Sequence, residues 1–199
     1  MAEAPSAAIQ TFTGRRIDPF DPDPEQIVIE DIAQALGNQC RFGGHCRRFY
    51  SVAQHSCLLA DLIADGGGDA HDRLWALLHD ASEAYLVDLP HPLKHRSDFG
   101  SAFRQFESVL QTAILARFGL SPDPPARIKE TDRALLAAEK QALTASGWAW
   151  PELEGVVPVE VTIEPWSPAR SAREFLRRFE AQRAWSGSLT GGRAAWFER

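Results

Sequence analysis

The chain has 199 residues, 44% apolar and 24% charged, which is enough for one domain with a full core and ordinary for a globular protein. Lys and Arg number 21 against 27 Asp and Glu, a net charge of −6. That balance excludes general binding to nucleic-acid polymers or membrane surfaces, so an anionic ligand must be met by a local basic cluster. Three cysteines, Cys40, Cys46 and Cys57, are too few and odd in number for a disulfide framework and point to a reducing cytoplasm.

Residues 1–8, MAEAPSAA, are small and polar and are expected to be loose; they have neither the basic nor the apolar region of a signal peptide. TFTGRRIDP (11–19) places a glycine between alternating residues and reads as a short hairpin. After the Pro/Asp-rich loop 19–25, a helix is predicted over 27–36 with Gly37-Asn38 as its stop. RFGGHCRRF is a basic, glycine-rich loop. Ser51 is the expected N-cap of a helix over 52–65, and Asp69 that of a helix over 70–80. A further turn follows near 82–86. DLPHPLKHR is expected to be irregular because of Pro90 and Pro92. Helices are predicted over 99–118, 125–144 and 167–182, with a linker SPDPP and one short strand within VPVEVTIEP (157–165). The tail from 186 reads as flexible. No run approaches the roughly 18 apolar residues of a spanning helix. There is no internal repeat, so the expectation is a single all-α domain over 9–185.

Helical spacing then decides which polar residues face inward. Val52, His55, Leu59 and Leu62 share one face, as do Trp75, Leu78 and His79. Ile128, Asp132, Leu135, Glu139 and Leu143 form a third stripe, which puts Asp132 on an inward face. Any one of these reads most simply as a hydrogen-bonded core histidine or an arginine's partner. Together, two inward imidazoles and the carboxylates of Asp80 and Asp132 need compensation that one divalent cation supplies.

The order His55, His79-Asp80, Asp132 resembles the H…HD…D signature of the HD-domain metal-dependent phosphohydrolases. AQHS (53–56) and HDASEAYLVDLPHPLK (79–94) are similar to the SEHS and HDASE…DLPxPxK segments of the bacterial 5′-deoxynucleotidases, and the likeness runs from about 9 to 180. The resemblance implies an HD helical bundle with one divalent ion (Mn, Co, Fe, Ni, Zn or Mg) held by His55, His79, Asp80 and Asp132. It also implies catalytic roles for Glu83 and Asp88. Arg41 is the nearest equivalent of the family's phosphate-binding arginine, in a loop that also carries His45, Arg47 and Arg48, and Lys94 is the second candidate phosphate cation. Glu83 would orient or deprotonate water; Asp88 would handle the leaving oxygen's proton or bind the sugar. The expected substrate is a nucleoside 5′-monophosphate, with deoxynucleotides foremost. A nucleoside triphosphate cut to nucleoside and triphosphate, and a nucleotide-binding module without turnover, stay open. Relatives of this size often form homodimers. His91 and His95 read either as a second metal site or as substrate-side or surface residues. Cys40 and Cys46 lack the short zinc-knuckle spacing. Trp148, Trp150 and Trp166 are expected to pack the C-terminal segment onto the bundle.

Overall fold

The structure, a computed structural model, describes residues 8–145 and 147–187. The loose segment expected over 1–8, apart from Ala8, and the tail from 188 on lie outside the described residues. The fold is mostly helical with a small two-stranded hairpin at its start. In chain order these are β1 (Ile9–Gln10), β2 (Arg16–Ile17), α1 (Ile29–Asn38), α2 (Val52–Asp65), α3 (Ala70–Leu78), α4 (Glu83–Leu86), α5 (His91–His95), α6 (Asp98–Arg117), α7 (Ala126–Leu143) and α8 (Pro168–Gly187). No helix among the described residues is long and apolar enough to cross a membrane.

The hairpin lies slightly earlier than the sequence suggests, with Ile9 opposite Ile17 and Gln10 opposite Arg16. It is fastened to α1 by Thr13, whose N–H (2.7 Å) and hydroxyl (2.9 Å) both donate to the Asp31 carboxylate. Ile17 then enters the core.

Helix α2 is the central rod and packs against α1, α3, α7 and α8. Its first six residues are all buried, Gln54, His55 and Ser56 included. Ser51 caps it, accepting from the Gln54 N–H at 3.1 Å, and Asp69 caps α3, accepting from Asp72 N–H at 2.9 Å. The main apolar cluster joins Ile32 and Leu36 of α1, Leu59 and Ile63 of α2, Leu77 and Leu78 of α3, Leu110 and Ile114 of α6, Leu135 of α7 and Phe175 of α8.

Several expectations need correction. Gly37 lies inside α1, where it lets α8 approach: a Cβ there would meet the Pro168 carbonyl at 3.0 Å and the Ala172 Cβ at 3.1 Å. PHPLKH forms a short helix, because Pro90 stands at its cap and Pro92 in its first turn, where a missing N–H costs nothing. Residues 157–165 hold no strand. They lie against helices rather than a sheet edge, and the Val159 N–H donates to the Ala134 carbonyl of α7. Trp148 is 71% exposed, whereas Trp166 packs on the core with Arg170 and Arg178 over its ring.

Candidate metal centre

The site forms where α2, the end of α3 and α7 meet. After Leu78 the chain leaves the α-helical ladder and turns more tightly. Ala81 N–H donates to Leu78 C=O, Glu83 N–H to Asp80 C=O, and Ala84 N–H to Ala81 C=O, each three residues back. In such a turn side chains three apart eclipse, which sets Glu83 beside Asp80. Gln111 of α6 brackets the turn: its amide donates to Leu78 C=O (2.7 Å) and accepts from Ser82 N–H (3.0 Å).

Both imidazoles have their orientation fixed. The Nδ1 of His79 donates to the Ala76 carbonyl at 2.8 Å, a group that can only accept. The Nδ1 of His55 donates to Glu139 Oε1 at 2.6 Å. The two Nε2 atoms are therefore the ones left to meet a metal ion, and they face one another at 3.2 Å. Asp80 Oδ2 lies 2.9 Å from His79 Nε2. Asp132 Oδ1 lies 3.1 Å from His55 Nε2 and 4.0 Å from His79 Nε2. The ligand atoms of His55, His79 and Asp80 all fall within 4.8 Å of one another, a group that could hold a metal ion. A second such group, Asp69, His71 and Asp72, lies in the exposed first turn of α3, where Asp69 serves as the cap.

Charge accounting tests the fit. Burial disfavours ionised Asp80, but the His79 charge and hydrogen bond hold its pKa well below the usual range. Burial likewise opposes Asp132 and Glu139, yet the His55 hydrogen bond lowers the first and the Arg41 charge the second. Three ionised carboxylates thus meet one guanidinium, Arg41, which lies 3.6 Å from Asp80 Oδ2 and 3.3 Å from Glu139 Oε2. That excess of negative charge suits a cation held beside the imidazoles. Without an ion a proton offsets part of it: burial and Arg41 oppose a charged His55, but Glu139 and Asp132 prevail and push its pKa up to about 9. Spacing agrees as well. Metal–imidazole bonds of about 2.0–2.1 Å separate neighbouring nitrogens by roughly 2.9 Å at right angles and roughly 3.4 Å at the tetrahedral angle.

No family model matches the chain. Over 173 residues it is 36% identical to the uncharacterized protein YfdR of Escherichia coli (strain K12), an alignment that takes in 86% of this chain and 93% of that protein. The chain belongs to the YfdR family. It is also 41% identical over 132 residues to an uncharacterized protein of Rhodobacter capsulatus, covering 64% of this chain and 65% of that one. A 28% likeness over 155 residues to a tRNA N6-adenosine threonylcarbamoyltransferase of Bordetella parapertussis takes in 41% of that enzyme's length.

The remaining candidates in this YfdR-family chain fall into two groups. Arg41 and Glu83 are buried at the site. Burial, with Asp80 and Asp88 nearby, pushes the Glu83 pKa well up. Its Oε2 has no hydrogen-bond partner, and neither has Arg41 Nε, so a buried carboxyl oxygen and a buried N–H both stand unsatisfied. Asp88 is half-buried. It follows Val87, a β-branched residue at φ +71°, and Gln39 fixes the segment: its amide donates to Glu83 C=O (2.7 Å) and accepts from Asp88 N–H (3.2 Å). Lys94 Nζ donates to Glu107 Oε1 at 2.6 Å, close enough to Asp80 and Glu83 to feel their charge. Arg47 lines a separate cavity of about 420 Å³ with Lys140 and Trp148. His91 and His95 stack on one another, ring centroids 4.4 Å apart, on exposed α5.

Sequence reasoning missed three residues. The fully buried acid of α7 is Glu139, whereas the Asp132 side chain is 34% exposed at the rim. Glu139 also accepts from the Tyr50 hydroxyl at 2.7 Å. Its place seven residues after Asp132 on the same stripe was the available signal. Gln39 and Gln111 carried none, because an amide that clamps backbone looks like any polar surface residue.

Proposed function

We propose that the protein is an HD-type metal-dependent phosphohydrolase acting on nucleoside 5′-monophosphates, deoxynucleotides foremost. The observation that carries this reading is the pair of imidazole Nε2 atoms turned on one point, with Asp80 and Asp132 beside them. The order of these residues along the chain and the HDASE…DLPxPxK resemblance supply the reaction class.

His55, His79, Asp80 and Asp132 would hold the ion. A divalent cation there supplies Lewis-acid polarisation of a phosphoryl oxygen and makes water more acidic. The chain's own groups do the rest. Arg41 offers a planar donor fork, which suits a phosphate oxygen. Lys94 adds positive charge from α5, its ammonium steadied by Glu107. Glu83, eclipsing Asp80, has a free carboxyl oxygen that can orient water or take its proton. Asp88, aimed by the Gln39 clamp, handles the proton of the leaving ribose oxygen or binds the sugar.

The test is phosphate release by pure protein from each deoxynucleoside 5′-monophosphate with Mn²⁺ or Co²⁺. Release that disappears on chelation is the expected result. No phosphate from any of them, in protein shown to contain metal, would overturn the reading. Triphosphate released from nucleoside triphosphates, resolved by ion exchange, would move the substrate to that class.

A further inference from the structure

Cys40 and Cys46 stand six residues apart, yet their sulfurs lie 3.5 Å from one another. The loop between them is curled back by three consecutive residues of positive φ: Phe42 at +60°, Gly43 at +58° and Gly44 at +82°. Gly43 and Gly44 take this path without the strain that a side chain meets there. The ends of the loop are fixed. Arg41 N–H donates to Tyr50 C=O at 2.9 Å and Val52 N–H to Gln39 C=O at 3.1 Å, while Arg47 N–H donates to Leu143 C=O at 2.7 Å. The third cysteine, Cys57, is buried in the core, but Cys40 and Cys46 are both partly exposed.

We propose that Cys40 and Cys46 are a reversible dithiol–disulfide site, oxidised by a low-molecular-weight disulfide such as oxidised glutathione. The bond would close a ring around Arg41. Closure needs the sulfurs to move from 3.5 Å to about 2.05 Å, within reach of side-chain rotation on a loop already folded back. In the first step one cysteine thiolate attacks a sulfur of oxidised glutathione, the glutathione S–S bond breaks, and one glutathione thiolate leaves. In the second step the other cysteine attacks the protein sulfur of the mixed disulfide and the second glutathione leaves. The two protein thiols give up two electrons and two protons, and one glutathione disulfide becomes two glutathione thiols. Burial and the hydrogen bond to Cys40 push the Cys46 pKa up to about 11, so the reaction should quicken as pH rises. Arg41 lies inside the ring and touches Asp80 and Glu139, so ring closure would fix the loop that presents this guanidinium to the metal centre. The dithiol site itself stands independently of the proposed reaction.

The full chain, fully reduced, is incubated with oxidised glutathione at pH 8 and quenched with acid, and its thiols are counted after denaturation. The count should fall from three to one. Tryptic peptides ending at Arg41 and at Arg47 should appear joined, two hydrogens lighter than their sum, and dithiothreitol should restore all three thiols. Cys40→Ser and Cys46→Ser should each retain one glutathione, because the resolving thiol is gone. Wild type that keeps three thiols, holds glutathione without the internal bond, or links either cysteine to Cys57 overturns the proposal.

Discussion

The Nε2 atoms of His55 and His79 face each other across 3.2 Å. Glu139 and the Ala76 carbonyl hold them so, by accepting from the two Nδ1 groups. Partners of this kind fix the tautomer and raise ligand basicity, and losing one typically weakens metal binding about 10–100-fold. Glu139→Gln is therefore expected to lower Mn²⁺ affinity by roughly that factor in calorimetric titration. Glu83→Gln should leave the affinity unchanged and abolish phosphate release; the opposite pattern would mean that the two carboxylates have exchanged roles. Much of this centre was legible in the sequence, because His55 and His79 sit on apolar stripes whose period is set by the helix. Glu139 was legible but passed over, since Asp132 on the same stripe already met the need for a fourth ligand. Side-chain pairing, such as Lys94 with Glu107, depends on how α5 packs against α6 and has no sequence period.

At the scale of elements, the helices follow from spacing and caps, and the departures come where the backbone leaves a helix. Three glutamines hold those departures, each by one carbonyl and one N–H. Gln111 grips the turn after α3, Gln39 grips 83–88, and Gln54 holds Glu164 C=O and Trp166 N–H. A clamp of this sort joins segments remote in sequence, which is why no local pattern announces it. Gln39→Ala leaves a carbonyl and an N–H unpaired and should cost about 1–3 kcal/mol in urea unfolding. It also frees Val87 from its left-handed backbone, so turnover should fall more than metal affinity. The Asp69 cap gives a pH test. The Asp72 N–H, donating to Asp69, holds its pKa below the ordinary value. The cap then stabilises above the unfolded carboxylate value of about 3.9 and fades as pH falls through the lower folded value. Asp69→Ala should cost about 1 kcal/mol at neutral pH. The difference in Tm from wild type should narrow by pH 3; a gap that widened there would contradict the assignment.

For the whole molecule, the candidate centre would tie an ion's binding to stability. Its residues come from α2, the α3–α4 turn and α7, and these meet only in the folded chain. An ion present at a hundred times its Kd should stabilise the fold by about 2.7 kcal/mol, a rise in Tm of roughly 5–10 °C for a chain of this size, reversed by a chelator. The acidic surface, net −6, leaves Arg41 and Lys94 as the local cations that would meet an anionic substrate. The most direct measurement is equilibrium titration of chelator-stripped protein with Mn²⁺, wild type beside His79→Ala and Asp80→Ala. One ion bound per chain, with each variant weaker by more than the Glu139→Gln variant, is the expected result. Wild type that binds no ion, or variants that bind as wild type does, would contradict the placement of a metal between these four side chains.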